Sequence, residues 1–306
     1  MNTTPQITAQ SWLMIALLAF IWGGTFLVTE VALTELPPFW VAASRIGFAA
    51  VVMALIWWRR GFALFSQRPD ASKLVTLTTI GILSGALPFA LLAWGQQHVT
   101  SSFAGVSMAS TALIVLPLAH VLVPGERMTL RRVAGFLIGF AGVTLLIGGQ
   151  ALDQTGSPHE TAGRLACVSA ASCYALSSIL MRRLPAVDSI GLATVLLLIG
   201  SCVSIPLALT VEGLPPAPTP QILGIVIFLG LVPTAAANLL RVLVVRSAGP
   251  VFMSLVNYQV PLWSVLLGAA ILNEPLPPTL IYAMVLLLAG LAVSQFSALR
   301  RLFTRP

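Results

Sequence analysis

Charged residues are scarce in this chain. Asp, Glu, Lys and Arg together make up 8% of its 306 residues, whereas hydrophobic residues make up 58% and the mean hydropathy is +0.97. Too little polar surface remains to cover a water-soluble globule of this length. The composition therefore excludes a soluble globular protein and indicates one that is embedded in a membrane.

Cysteine and histidine are also few, with three of each. The cysteines all fall inside apolar stretches, where an odd number of thiols behaves as small apolar side chains and not as a disulfide framework. No histidine lies in a close motif with a carboxylate, and there is no phosphate-loop lysine pattern. We therefore expect no metal, no cofactor and no ATP hydrolysis. An enzyme is not expected either, because no nucleophile and base share one depth.

Long apolar stretches follow one another along the chain, each of about 20 residues, which is enough to cross a bilayer core about 30 Å thick. The pattern predicts an all-α membrane protein with ten transmembrane helices. The predicted spans are Trp12 to Leu33, Pro37 to Trp58, Leu74 to Trp94, Ser101 to Val123, Thr129 to Gly148, Ala162 to Met181, Ile190 to Thr210, Gln221 to Leu243, Pro250 to Leu272 and Thr279 to Ser297.

The positive residues alternate from loop to loop. All of the 16 cations except Arg45 and Arg164 fall in loops on one side of the predicted membrane or in the tail. Lysine and arginine are retained on the cytoplasmic side of inserted helices, so we predict both termini in the cytoplasm and a multi-pass protein of the inner (plasma) membrane. The net charge of +7 then reflects topology and contact with anionic lipid, and no nucleic-acid partner is expected.

The second half of the chain repeats marks of the first half in the same order. The spacing between the copies varies by about one helical turn. The pairs are Leu36-Pro37 with Leu184-Pro185, Ala104-Gly105 with Ala248-Gly249, Pro117 with Pro261, Glu126 with Glu274, and Gly142 with Gly290. We predict a five-helix repeat over residues 1–148, an external connecting loop over 149–160, and a second repeat with a basic cytoplasmic tail over 161–306. Five is an odd number, so the second repeat is inverted, which is the architecture of alternating-access transporters.

Several of these residues carry a family resemblance. The chain resembles the EamA family of the drug/metabolite transporter superfamily over nearly its whole length, and within it the exporters of aromatic and other neutral amino acids. The matching marks are Trp22-Gly23, Pro37, Arg45, Pro117, Glu126 and Gly142, and then Pro261, Glu274 and Gly290. The resemblance implies ten helices in two inverted repeats, a central cavity and export of small metabolites such as amino acids.

Polar and aromatic residues near the midpoints of the spans are the candidates for a substrate site. Proline frees a backbone carbonyl one turn earlier, which in hydrocarbon must face protein or a wet cavity, so Pro88, Pro117, Pro233 and Pro261 indicate cavity walls. The alternative is that these side chains only join or pack helices. The predicted substrate-binding residues are Trp22, Ser84, Pro88, Thr111, Tyr174, Ser177, Asn238, Asn257, Tyr258 and Gln259.

Two charges lie inside the predicted spans of the first repeat. Arg45 is eight residues into the second span and Glu30 is about one turn from the end of the first. An unpaired guanidinium at that depth is unfavourable by several kcal/mol. We predict a structural Glu30–Arg45 ion pair; the alternatives are binding of a substrate carboxylate and proton transfer.

The sequence favours an exporter of neutral or aromatic amino acids that works by alternating access, with a small-molecule substrate and the bilayer as partners and a monomer as the expected form. A nucleotide-sugar or phosphate-ester carrier is the alternative of the same class, although only Arg45 and Arg241 are available to bind phosphate. The alternatives of another class are a membrane-embedded enzyme and a structural or receptor protein.

Overall fold

The computed structural model describes residues 7–65, 71–122, 128–148, 158–181, 184, 187–248, 250–253 and 255–303. Those residues form helices and short connections, and no β-strand occurs among them. Nine helices are long and apolar enough to cross a membrane, and the part of the ninth span over Val256–Leu272 is a shorter apolar helix, all within the ranges just given. The predicted all-α membrane fold is confirmed.

Ten spans follow one another, and each predicted span falls on one of them. They are α1 (Ala9–Ala32), α2 (Pro38–Arg59), α3 (Ala71–Gln96), α4 (Ser101–Leu122), α5 (Leu130–Gly148), α6 (Glu160–Met181), α7 (Ser189–Glu212), α8 (Pro220–Ala248), α9 (Pro250–Met253 and Val256–Leu272) and α10 (Pro278–Phe303). The predicted connecting loop over 149–160 lies mostly outside the described residues.

Several helices begin at a side chain that accepts a hydrogen bond from the first turn. Thr8, Thr100, Asp188 and Thr219 do so for α1, α4, α7 and α8. The first backbone N–H groups of a helix have no partner inside it, and a side-chain oxygen at this position supplies one. Polar residues at these positions therefore fix where the spans start.

Four of the spans are irregular, and they form two pairs related by the repeat. α3 contains a π-helical segment over Ile82–Ala86, and α8 contains one over Gly230–Ala236. α4 is interrupted between Ser107 and Ser110, and in α9 the residue before Val256, Leu255, forms a turn. These are the spans in which proline was expected to disturb the backbone. The predicted span from Pro250 to Leu272 falls on the two helical segments of α9.

The helix ends define two faces of the molecule. The Glu274 face is the one that contains the loop between α9 and α10, and the Arg60 face is the one that contains the end of α2. On the Glu274 face the end of α5 lies beside the start of α6, because Arg164 donates to the carbonyls of Leu146 and Ile147 at 3.4 Å. Arg164 also pairs with Glu160. On the Arg60 face the end of α2 meets the start of α7, where Arg60 and Asp188 are 3.7 Å apart.

Two helix pairs from opposite repeats pack along much of their length: α5 with α10 and α2 with α7. Glycines allow the first pair to approach closely: a Cβ at Gly135 would lie 2.6 Å from the carbonyl oxygen of Gly290, and one at Gly142 would lie 3.0 Å from that of Ala283. Small residues let helix backbones come together in a membrane, where van der Waals packing drives association.

The packing of α4 against α9 differs between the two faces. On the Glu274 face the segment Ser101–Ser107 of α4 is buried throughout and packs against Val256–Leu272 of α9. On the Arg60 face, Ser110–Leu122 of α4 and the Pro250–Met253 segment of α9 have at most weak contact within the described residues. The packing of α4 against α9 therefore closes the space between the repeats on the Glu274 face more than on the Arg60 face.

Candidate functional site

A buried arginine lies where α2, α3, α6 and α8 meet. The side chain of Arg45 has only 8% of its surface exposed. Its Nε donates to the hydroxyl of Thr234 at 2.8 Å, and its guanidinium carbon lies 4.2 Å from the centre of the Phe89 ring. Phe89 in turn meets the edge of Tyr174, with ring centres 6.4 Å apart. A cation over an aromatic face is attracted by the ring quadrupole, so the Phe89 ring offsets part of the cost of burying the guanidinium.

The π-helical segment of α8 supplies the other side of this cluster. The N–H of Ala237 donates to the carbonyl of Val232, and the Pro233 carbonyl instead accepts the indole N–H of Trp22 at 3.1 Å. A π turn shifts backbone hydrogen bonding by one residue, which leaves carbonyls available to side chains. Asn238 donates to the carbonyl of Thr234. Trp22, Tyr174 and Asn238, three of the predicted site residues, are thus joined to Arg45 through α8 or Phe89.

A small cavity lies beside Arg45 on the side of the Glu274 face. It lies between α1, α2 and α3, is partly open to the surroundings and has a volume of about 20 Å³, which is room for about one water molecule. Its polar lining consists of Thr25, Thr29, Arg45 and Gln96, and the rest of the lining, including Phe26 and Phe89, is apolar. Both threonine hydroxyls donate to carbonyls of their own helix, which leaves their oxygen lone pairs available.

The structure does not bring Glu30 and Arg45 together as a pair. Glu30 accepts a hydrogen bond from Gln96 at 3.3 Å, and Gln96 also donates to the Phe26 carbonyl at 2.8 Å. Among the described residues the ion pairs are Arg60–Asp188 and Glu160–Arg164. Gln96 of α3 therefore occupies the position beside Glu30 that was predicted for Arg45.

The remaining predicted residues are not joined to Arg45 by a hydrogen bond or a ring contact within the described residues. Pro88 is buried next to Phe89, and Ser84 is half-buried in the π segment of α3. The buried Ser177 donates to the Tyr174 carbonyl of its own helix at 2.9 Å. Thr111 of α4 and the run Asn257, Tyr258 and Gln259 of α9 follow the interruptions in their helices, and no recorded hydrogen bond links them to Arg45.

The run Asn257, Tyr258 and Gln259 of α9 has features of a cavity lining. Asn257 is exposed and Gln259 is half-buried, whereas the buried hydroxyl of Tyr258 has no hydrogen-bond partner within the described residues. A buried hydroxyl without a partner is unfavourable by about 1–3 kcal/mol. This group is available to water or to a bound solute, and a role for the run in substrate binding stays a prediction.

Residues that the sequence alone did not indicate complete the site: Phe89, Gln96 and Thr234. Phe89 follows Pro88 and Thr234 follows Pro233, so the proline positions were a usable signal for both. Gln96 carried no such signal, because it lies at the end of its span, where polar residues are common.

A carboxylate closes the site on the Glu274 face. Glu274 accepts the backbone N–H groups of Ser101 at 2.7 Å and Ser102 at 2.9 Å, at the start of α4. The hydroxyl of Ser264 donates to the Ser101 carbonyl at 3.0 Å. A helix N-terminus attracts negative charge because its first N–H groups are unpaired and its dipole is positive there. Glu126, the predicted counterpart of Glu274, lies outside the described residues.

Two further carboxylates join the repeats on the same face. Glu212, at the end of α7, accepts the backbone N–H groups of Phe39 and Trp40 at 3.0 Å each, at the start of α2. Glu35, after α1, accepts the backbone N–H of Thr219 at 2.8 Å, at the start of α8. Each contact joins a carboxylate of one repeat to a helix N-terminus of the other, so the Glu274 face is closed by contacts between the repeats.

These features define an integral membrane protein built from two inverted five-helix repeats around a buried, partly polar cluster. The model of the EamA-like transporter family matches residues 10–148 and 161–296. The chain belongs to this family, and it is a membrane transporter of the EamA type.

Similar proteins agree with this class. The chain is 25% identical over 271 residues to an uncharacterized transporter of Archaeoglobus fulgidus, covering 88% of this chain and 91% of that protein. It is 27% identical over 292 residues to an S-adenosylmethionine/S-adenosylhomocysteine transporter of Chlamydia trachomatis, covering 90% of this chain and 86% of the relative. A solved structure described as a crystal structure of protein shares the fold, with a TM-score of 0.65, 23% identity and coverage of 97% of this chain and 99% of that chain.

Proposed function

We propose that this protein exports neutral or aromatic amino acids by alternating access through a cavity between its repeats. The observation that carries the proposal is the unequal packing of α4 against α9. Among the described residues, contact between these helices is extensive on the Glu274 face and at most weak on the Arg60 face. Two inverted repeats can exchange conformations, and the exchange would close the Arg60 face and open the other.

The positive charges indicate which face of the protein is cytoplasmic. Arg59, Arg60, Arg131 and Arg132 lie at the ends of α2 and α5 on the Arg60 face. The positive-inside rule supports a cytoplasmic Arg60 face, with both termini in the cytoplasm of a cell whose plasma membrane holds the protein. In that orientation the present conformation is the one that would receive substrate from the cytoplasm.

The chemistry of the buried cluster supports a zwitterion with an apolar side chain. Trp22, Phe89 and Tyr174 offer aromatic surface, and Arg45 is a cation among them. A phosphate ester usually needs several cations at one depth, and among the described residues Arg45 has that position, whereas Arg241 lies further along, in the second half of α8. S-adenosylmethionine is a second candidate, because it carries an amino-acid group and is named for a relative that matches 90% of this chain.

Transport into proteoliposomes tests the proposal. Purified protein is reconstituted, and uptake of labelled phenylalanine and threonine is compared with that of empty vesicles, with unlabelled S-adenosylmethionine and a nucleotide sugar as competitors. We expect faster uptake of the amino acids and no competition by the nucleotide sugar. Strong competition by S-adenosylmethionine alone would select the second candidate. Rates equal to those of empty vesicles across the panel would overturn the transport proposal, and an imposed pH gradient would show whether protons are coupled.

A further inference from the structure

We propose that the guanidinium of Arg45 is the binding site for the substrate carboxylate, at the cavity between α1, α2 and α3. The proposal rests on the proposed function and names the part of the substrate that this region recognises. It replaces the structural Glu30–Arg45 pair with one of the alternatives that the sequence left open.

The first support is the hydrogen bonding of Arg45. A guanidinium has five N–H donors in a planar fork. Only the Nε donor has a partner, the hydroxyl of Thr234, and within the described part of the chain the two terminal nitrogens have none. Thr234 is itself held, because its hydroxyl donates to the Leu229 carbonyl at 2.8 Å. The fork is therefore fixed at one edge and free at the edge that carboxylates bind.

The second support is the surroundings of the free edge. Arg45 lines the cavity together with Thr25, Thr29 and Gln96, and none of the described residues that line it is a carboxylate. A buried cation without an anionic partner is unfavourable, so the site is complete only with an anion. The planar fork matches a carboxylate through two parallel hydrogen bonds, which is the geometry that makes arginine selective for this group.

The third support is the placement of the aromatic residues. The Phe89 ring covers one face of the guanidinium and touches Tyr174. This packing restricts the rotation of Arg45 and leaves aromatic surface beside the carboxylate position. An amino acid bound there would place its side chain within reach of that surface, and a neutral or aromatic side chain would be favoured there over a charged one.

A ligand series on the wild-type protein tests the assignment without any substitution. Inhibition of labelled phenylalanine uptake is measured with phenylalanine, with phenylalanine amide and with phenethylamine, which lacks the carboxyl group. We expect both analogues to bind about 10- to 100-fold more weakly than phenylalanine, since each lacks the anion that accepts the two hydrogen bonds. Equal inhibition by all three would overturn the assignment while leaving the transport proposal intact. Failure of the wild type to transport any amino acid would overturn both.

Variants then locate the preference at Arg45. In Arg45→Gln the difference between phenylalanine and its amide should disappear, and in Arg45→Lys it should be partly kept. Thr234→Val should raise the KM for phenylalanine with little change in kcat, whereas the matched control Thr194→Val, a buried threonine of α7, should change neither. Thermal unfolding of each solubilised variant checks folding. If Arg45→Gln does not fold, the ligand series and the Thr234→Val result decide. Retention of the full acid preference in folded Arg45→Gln would refute the role of Arg45.

Discussion

The closed Glu274 face should open when a single methyl group is added to Gly105. This residue lies in the first segment of α4 and packs against Ser264 of α9. A Cβ at Gly105 would overlap both the hydroxyl oxygen and the Cβ of Ser264, and it would come within 3.2 Å of Phe26. Neither obstacle is the end of a long flexible side chain, so Gly105→Ala must push α4 and α9 apart on this face.

The size of the effect follows from overpacking. Extra atoms in a well-packed contact destabilise it by about 1–3 kcal/mol. The destabilisation applies to the conformation in which α4 touches α9 on the Glu274 face, so the equilibrium should shift about 5- to 150-fold toward the opposite conformation. Gly47→Ala is the matched control, because nothing lies within 4 Å of a Cβ placed there. Both variants replace Gly by Ala inside a helix, so the gain in intrinsic helix propensity is the same and cancels in the comparison.

Labelling of a single cysteine measures the shift. Cysteine is introduced at Thr29, which lines the cavity, in a background without the three native cysteines. A membrane-impermeant maleimide is added to intact cells, so that only protein open to the outside reacts. Gly105→Ala should react faster by a factor within the range above, and Gly47→Ala should react like the parent. If folded Gly105→Ala reacts no faster than the parent, the Gly105–Ser264 contact does not hold this face closed.

Further predictions concern carboxylates and a histidine at the helix ends. Glu274→Gln removes the charge that accepts two N–H groups at the start of α4, so labelling should rise by roughly 10-fold or more in the same assay; an unchanged rate would contradict this. Asp188→Ala should lower the free energy of unfolding by about 1 kcal/mol, because α7 loses its N-terminal cap. Arg60→Ala should change the free energy of unfolding little, because the Arg60–Asp188 pair is partly exposed. Similar losses for the two variants in thermal unfolding would contradict this prediction. Burial and then the charge of a neighbouring histidine lower the pKa of His98, which lies outside the spans. The folded state therefore binds fewer protons there than the unfolded state, so acidification from pH 7.5 to 5.5 should lower the Tm of the wild type more than that of His98→Asn, and equal shifts would count against this.

The sequence predicted the fold well because the bilayer imposes its own length on each helix. Apolar stretches of that length give the number of spans, and an odd number per repeat gives the inversion. The interruptions in α4 and α9 could not be placed in this way. Hydropathy does not respond to a break inside an apolar helix, and Pro261 lies within the helical segment Val256–Leu272 and not at the break. Proline indicated which spans are irregular but not the position of the irregularity.

The candidate site was predicted in part, for a different physical reason. Trp22, Tyr174 and Asn238 were selected by depth, and depth is readable from the sequence. The partner of a side chain depends also on how each helix is rotated about its axis. Spacing along one helix therefore could not show that Gln96 would reach Glu30, or that Arg45 would reach Thr234.

The contacts between the repeats separate a frame from the parts that should move. α2 and α7 are joined at both ends, by Glu212 on the Glu274 face and by the Arg60–Asp188 pair on the other. α5 and α10 are held along their length by close glycine contacts. In the described residues α4 and α9 are joined on one face only, and they and their neighbours α3 and α8 contain the breaks and π segments. A helix with an interrupted backbone can bend at lower energy than a regular one. Under the proposed alternating access, exchange of the open face would bend α3, α4, α8 and α9 against a frame of α2, α7, α5 and α10. Arg45 would then lie at the boundary, because it is on a frame helix and donates a hydrogen bond to Thr234 of a bending one.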